Sequence, residues 1–184
     1  MGRVLLAAIV GAILEFGWGF VSHAVLQLQE KAWQKLPNES AAMAELKNTP
    51  PGMYAYPWLD MKNATDADRT AWVERAKAGG HGFLVQGKPE DASLDPGARR
   101  LVFEFLSNLI GALILVVVGA GRGFGGRVML GILAGVFAWA SQDVSYWIWH
   151  GFSDAYTTAG LVDAVAGWTI ASIGIAIILR PRPA

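Results

Sequence analysis

Apolar residues in this chain fall into four long runs, separated by one long polar segment and two short connectors. The runs cover 4–28, 101–120, 128–149 and 157–179, and the first is interrupted by Glu15 and His23. Each is close to the roughly 20 residues that cross about 30 Å of hydrocarbon at about 1.5 Å per residue. Four such runs in 184 residues predict a mainly α fold. The expected architecture is a four-transmembrane-helix bundle with a small α/β extracytoplasmic insert between the first and second helices. The expected division is 1–28 for the first helix, 29–98 for the outer cap, and 99–184 for the remaining helices with a cytoplasmic tail. The first run is read as a retained helix: it is long for the apolar core of a cleaved leader, and Glu15 sits in its middle.

The polar segment is patterned. Asn38 is placed to cap a short helix running to Leu46. Pro50-Pro51-Gly52 breaks the chain, and Met53-Tyr54-Ala55-Tyr56 reads as a short strand. Thr65-Asp66-Ala67-Asp68 resembles a capping box with aspartate in the glutamate position, opening a helix to Lys77 that Gly79-Gly80 ends. Phe83-Leu84-Val85 is a second strand that could pair with the first. Asp95 followed by Pro96 fits the entry to the second span.

Charge sets the expected orientation. The connector between the second and third runs carries Arg122 and Arg127 and no acid. Arg3 stands at the N-terminus, and Arg180 and Arg182 follow the last run. The connector between the third and fourth runs has Asp154 and no lysine or arginine. The positive-inside rule then puts both termini and the Arg122/Arg127 connector in the cytoplasm and the long polar segment outside, in a bacterial inner membrane. Arg99 and Arg100 are a minor violation. Tyr146, Trp147, Trp149, Phe152 and Tyr156 bracket the outer end of the last two runs, where an aromatic belt is expected.

Composition narrows the function classes. Charged residues make up 16%, well below the usual share of about 25% in soluble domains. The 15 basic and 15 acidic residues balance, which speaks against nucleic acid as a partner. With no cysteine, disulfides, thiolate metal sites and cysteine nucleophiles are excluded. There is no P-loop, zincin helix, nucleophile elbow or dinucleotide fingerprint, so the expectation leans away from an enzyme, and no cofactor can be read from the chain.

Intramembrane polar residues are the candidate chemistry, because charge in lipid is costly and normally faces a bundle interior, water or a partner. Glu15 lies near the middle of its span and is expected to act structurally, by hydrogen bonding within the bundle or pairing with a partner. Asp143 and Asp163 come out roughly 7 Å outward from their span centres, and Glu104 and His23 roughly 10 Å. Glu104, Asp143, Asp163 and His23 therefore form a candidate outward-facing cluster, able to relay protons or to ligate a divalent metal. No spacing signal supports His23 and His150 as haem ligands. Packing signals recur at helical steps: Gly11, Glu15, Gly19 and His23 at steps of four in the first span, the small-residue pair Gly131 and Gly135 in the third, and Gly160, Gly167 and Gly174 at steps of seven in the fourth. Such faces let helices approach closely, within the chain or against a partner.

Several short stretches carry a resemblance. They are Trp18-Gly19-Phe20-Val21-Ser22-His23, Leu36-Pro37-Asn38-Glu39, Pro51-Gly52-Met53-Tyr54, Gly82-Phe83-Leu84-Val85, Glu104-Phe105-Leu106-Ser107-Asn108, Val144-Ser145-Tyr146-Trp147 with Gly151-Phe152, and Asp163 with Gly167-Trp168. In these the chain resembles a group of bacterial four-span integral membrane proteins with no assigned function. The resemblance implies the four-span architecture with an outer insert and no activity. The leading expectation is a non-enzymatic accessory or interaction subunit, whose partners are the lipid bilayer and a membrane protein or a second copy. The alternative is a transport protein handling protons or divalent cations through Glu104, Asp143, Asp163 and His23.

Overall fold

The computed structural model describes residues 2–88, 92 and 97–180. In chain order the elements are α1 (Gly2–Gly19), a π-helical continuation (Phe20–Leu26), a 3-10 turn (Glu30–Ala32), α2 (Glu39–Leu46), β1 (Gly52–Tyr56), α3 (Asp66–Gly79), β2 (Gly82–Gln86), α4 (Gly97–Val118), α5 (Phe124–Ser141), α6 (Asp143–His150) and α7 (Asp154–Ile178). They form two compact units, Met1–Gln34 with Asp95–Ala184, and Lys35–Leu94. Asp95, Pro96 and Arg182 lie outside the described residues.

The first unit is a helix bundle. Among the described residues, four segments are long and apolar enough to cross a membrane: Gly2–Ala32, Gly97–Val118, Phe124–His150 and Asp154–Ile178. Its core is made of small side chains. Ala7, Ala8, Ala12, Ala112, Ala171 and Ala176 are buried around Leu115, Val116 and Ile175. Larger apolar residues such as Leu5, Ile110, Val117 and Phe137 point outward and are exposed. That inversion is what lipid favours: helices there gain little from hiding leucine from neighbours and much from close backbone approach.

The glycine faces serve this approach inside the chain. A Cβ on Gly135 would lie 2.6 Å from the Ala164 carbonyl oxygen, and one on Gly11 would lie 2.8 Å from Ile175 Cδ1. Gly131 is pressed against Ser172 and the Trp168 backbone, Gly174 against Leu14, and Gly111 carries the Trp168 indole. Gly19, by contrast, has open space where a side chain would be. These pairings run α1 antiparallel to α4 and α7, and α5 antiparallel to α7. Arg3 and the C-terminal end of α7 therefore share one end of the bundle. There Arg3 Nη2 donates to the Ile178 and Arg180 carbonyls, both at 2.6 Å, and so caps α7. Arg180 stacks 4.4 Å from the Phe124 ring centroid at the same end.

Two helices depart from the continuous spans expected. The first loses α geometry after Gly19 and continues as a π-helix to Leu26, ending at Gln27 in the left-handed region (φ 52°). Gly17 and Gly19 weaken the α ladder just before this change. The third breaks at Gln142 (φ −111°, ψ −64°) into α5 and α6. Just before the break, Ser141 Oγ donates to the Phe137 carbonyl at 2.7 Å, a back-bond that bends helices.

The second unit pairs β1 with β2 antiparallel, Tyr54 opposite Leu84. The Thr65/Asp68 capping box is present: Asp68 N–H donates to Thr65 Oγ1 at 3.2 Å, and Thr65 N–H donates to Asp68 Oδ2 at 2.9 Å. Asn38 stands at the start of α2, but in the left-handed region (φ 55°), with no side-chain cap bond. Trp72 on α3 donates to the Pro57 carbonyl at 2.6 Å and fastens the helix to the loop after β1.

Candidate functional site

The end of the bundle away from Arg3 holds a half-open cavity of about 780 Å³ between α1 with its π continuation, α4 and α7. Its chemistry comes from Glu15, His23, Arg100, Glu104, Asn108 and Asp163. Phe16, Trp18 and Phe20 supply an aromatic wall. Phe16 is held edge-on against Phe105 of α4, ring centroids 6.2 Å apart.

Asp163 is the best-anchored carboxylate. Trp18 Nε1 donates to its Oδ1 at 2.8 Å and to its main-chain carbonyl at 3.1 Å. On its other side, Asp163 Oδ2 stands 3.5 Å from His23 Nε2. The second imidazole nitrogen, Nδ1, lies 2.8 Å from Glu30 Oε1. His23 is thus bracketed by two carboxylates, one inside the bundle and one at its rim. As imidazolium it donates to both; as neutral imidazole it donates to one. The π segment presents His23 to α7, and the left-handed turn at Gln27 returns the chain so that Glu30 reaches the ring. π geometry within helices is often found where a side chain is aimed for function.

Glu15 lies deeper. Its carboxylate rests over Gly167, where a Cβ would be 2.6 and 2.7 Å from the two oxygens. Glu15 Oε2 is buried and has no hydrogen-bond partner among the described residues. Its charged neighbours are Asp163 and Glu104.

Of the four residues of the expected cluster, His23, Glu104 and Asp163 come together in this cavity, and Glu15 joins them. Asp143 stands elsewhere. It opens α6, its Oδ1 accepts from Gln29 Nε2 at 3.2 Å, and it packs over Gly160. The break at Gln142 sets it at this joint. Among the described residues, no three His, Asp or Glu side chains converge closely enough to hold a metal ion.

Sequence reasoning missed Trp18 as the donor to Asp163, Glu30 as the outer partner of His23, and Arg100 as a cavity residue. No local spacing signals the His23–Glu30 pair, because Glu30 lies beyond the left-handed turn at Gln27 that sets it back against the ring. No protein-family model, no curated protein and no solved structure matches the chain.

Proposed function

We propose that this chain is a multi-pass protein of a bacterial inner membrane that takes protons or other small cations into its polar cavity from the outer side. The observation that carries this reading is the line Glu30–His23–Asp163–Glu15, running from an exposed rim to a buried carboxylate. A proton reaching Glu30 passes to His23 Nδ1, and one leaves Nε2 for Asp163; imidazole is suited to such a relay. Water in the cavity would carry it on to Glu15 or Glu104. The distribution of arginine supports the orientation. Arg3 and Arg180 cluster at the end opposite the carboxylates, with Arg122 in the connector between α4 and α5 and Arg127 in the first turn of α5 at that end, so the positive-inside rule favours the cytoplasm for this end.

Reconstitution into liposomes with an imposed pH gradient and an entrapped pH dye tests the reading. The protein should dissipate the gradient faster than empty vesicles do. Glu15→Gln and Asp163→Asn should slow it by about tenfold or more, in keeping with the weight of positioned acid–base groups. A rate equal to that of empty vesicles would sink the proposal.

A second reading, the accessory subunit, is favoured by one separate observation. No residue of α2 or α3 is buried, and Met43, Met53, Trp58 and Met61 are between 63% and 78% exposed. Exposed methionine and tryptophan suit a contact surface. Under this reading a protein subunit co-purifies in fixed ratio from the native membrane, seen by native mass spectrometry. It is lost when Met53 and Trp58 are changed to serine. Unchanged recovery of that subunit by the double variant would count against it.

A further inference from the structure

The cavity's lining defines a ligand class, and the inference rests on the reading that this cavity is the working site. A volume of about 780 Å³ falls in the roughly 300–1,000 Å³ range of small-molecule sites. It is far more room than a proton or a bare metal ion needs. The lining carries three carboxylates, Glu15, Glu104 and Asp163, against the single guanidinium of Arg100, so an anionic ligand is disfavoured. Divalent metal is not the natural occupant either, since no three ligating side chains converge among the described residues. Asp163 already accepts from Trp18 and faces His23. The carboxylate left for a ligand deep in the cavity is Glu15, whose Oε2 is buried without a partner among the described residues. On the same α1 segment and its π continuation, Phe16, Trp18 and Phe20 also line the cavity, and their rings favour apolar bodies and the faces of cations.

We propose that the cavity binds a primary ammonium group carried on an apolar body. The ammonium N–H donors meet Glu15 and Glu104, and the apolar body lies along the aromatic wall. A primary ammonium has three donors and no acceptor, which suits two carboxylates with acceptor capacity to spare. The same chemistry is offered by a free amphipathic amine and by the ethanolamine headgroup of a phospholipid. Together with the proton line, this makes the site one where an organic cation and protons compete for the same carboxylates.

Calorimetric titration of the full chain in phosphatidylcholine nanodiscs with 2-phenylethylammonium tests the proposal, with uncharged 2-phenylethanol as the control. The amine should bind and the alcohol should not. Glu15→Gln and Glu104→Gln should each weaken the amine about tenfold or more, the loss of one charge-assisted hydrogen bond. Glu104 is exposed, so its variant keeps the test intact if Glu15→Gln does not fold. No binding, or equal binding by the wild type and both variants, overturns the proposal. If amine binding fails while Glu15-dependent proton flux persists, the ligand class is wrong and the proton reading stands. Binding without flux has the opposite meaning. Native mass spectrometry of protein extracted from a phosphatidylethanolamine-rich membrane separates the sources. A retained phosphatidylethanolamine displaced by the amine identifies the lipid headgroup, whereas lipid-free protein that binds the amine identifies a free amine.

Discussion

Trp18 on α1 and Asp163 on α7 are joined by one indole N–H, shared between the Asp163 carboxylate at 2.8 Å and its main-chain carbonyl at 3.1 Å. That bond closes the inner wall of the cavity and fixes the carboxylate that His23 faces. Trp18→Phe keeps an aromatic ring and removes the donor. It should lower the stability of the bundle by about 1–3 kcal/mol, the usual cost of a lost hydrogen bond to a charged partner. The detergent-solubilised variant should melt earlier and dissipate a pH gradient more slowly. Wild-type melting and flux together would show that the bond positions nothing.

The glycines separate by what faces them. Gly135→Ala must push a methyl group toward backbone atoms of Ala164 and Val165, at 2.6 Å each, and backbone cannot move aside as a side-chain end can. A loss of about 1–3 kcal/mol is expected for such overpacking. Gly19→Ala meets open space, so its effect should be neutral or stabilising by up to about 1 kcal/mol. Thermal unfolding of the two variants side by side checks this, and equal losses would contradict the close-packed α5–α7 interface.

What the sequence made legible was whatever local pattern decides. The four apolar runs, the two short strands and the Thr65/Asp68 capping box are each written within a few neighbouring residues. What stayed hidden was decided at a distance. Nothing in the run 4–28 signals that α geometry gives way to π after Gly19, because Gly17 and Gly19 only permit a change that packing against α7 completes. Asp143 and Asp163 come out at the same depth when their spans are treated as straight rods. The break at Gln142 then turns Asp143 toward Gln29 and leaves Asp163 in the cavity. Glu30 falls by composition in the outer segment, and only the left-handed turn at Gln27 brings it back to His23.

The capping box gives the small unit a pH signature. Hydrogen bonds from the Thr65 hydroxyl and backbone N–H hold the Asp68 carboxyl below the usual carboxylate range. A carboxyl whose pKa is lower in the folded state than in the unfolded one stabilises fully above its unfolded value. That contribution fades as pH falls through the folded value. Protection of the α3 amides, taken relative to their intrinsic exchange rate at each pH, should therefore fall on acidification below the usual carboxylate range. Asp68→Ala should already exchange faster at neutral pH and should lose this acid dependence. An acid response unchanged by the substitution would place its origin elsewhere, with Asp60, held low by Asn63 and Lys62, as the next group to replace.

Orientation can be tested cleanly because the chain has no cysteine. Every labelling signal then comes from the residue introduced. Ser153→Cys lies between α6 and α7 at the carboxylate end, and Gly123→Cys lies between α4 and α5 at the arginine end. The proposed orientation, with the arginine end in the cytoplasm, predicts that a membrane-impermeant maleimide added to intact cells with a permeabilised outer membrane labels Ser153→Cys. Gly123→Cys should react only after the inner membrane is opened. Ser153 also caps α7 by accepting from the Tyr156 N–H at 3.2 Å, so its replacement costs about 1 kcal/mol of helix stability. Thr158→Cys, one turn into α7, is a second reporter that leaves the cap in place. The reverse labelling pattern would turn the cavity toward the cytoplasm. Protons and organic cations would then enter it from inside, and the transport reading would have to run from cytoplasm to exterior.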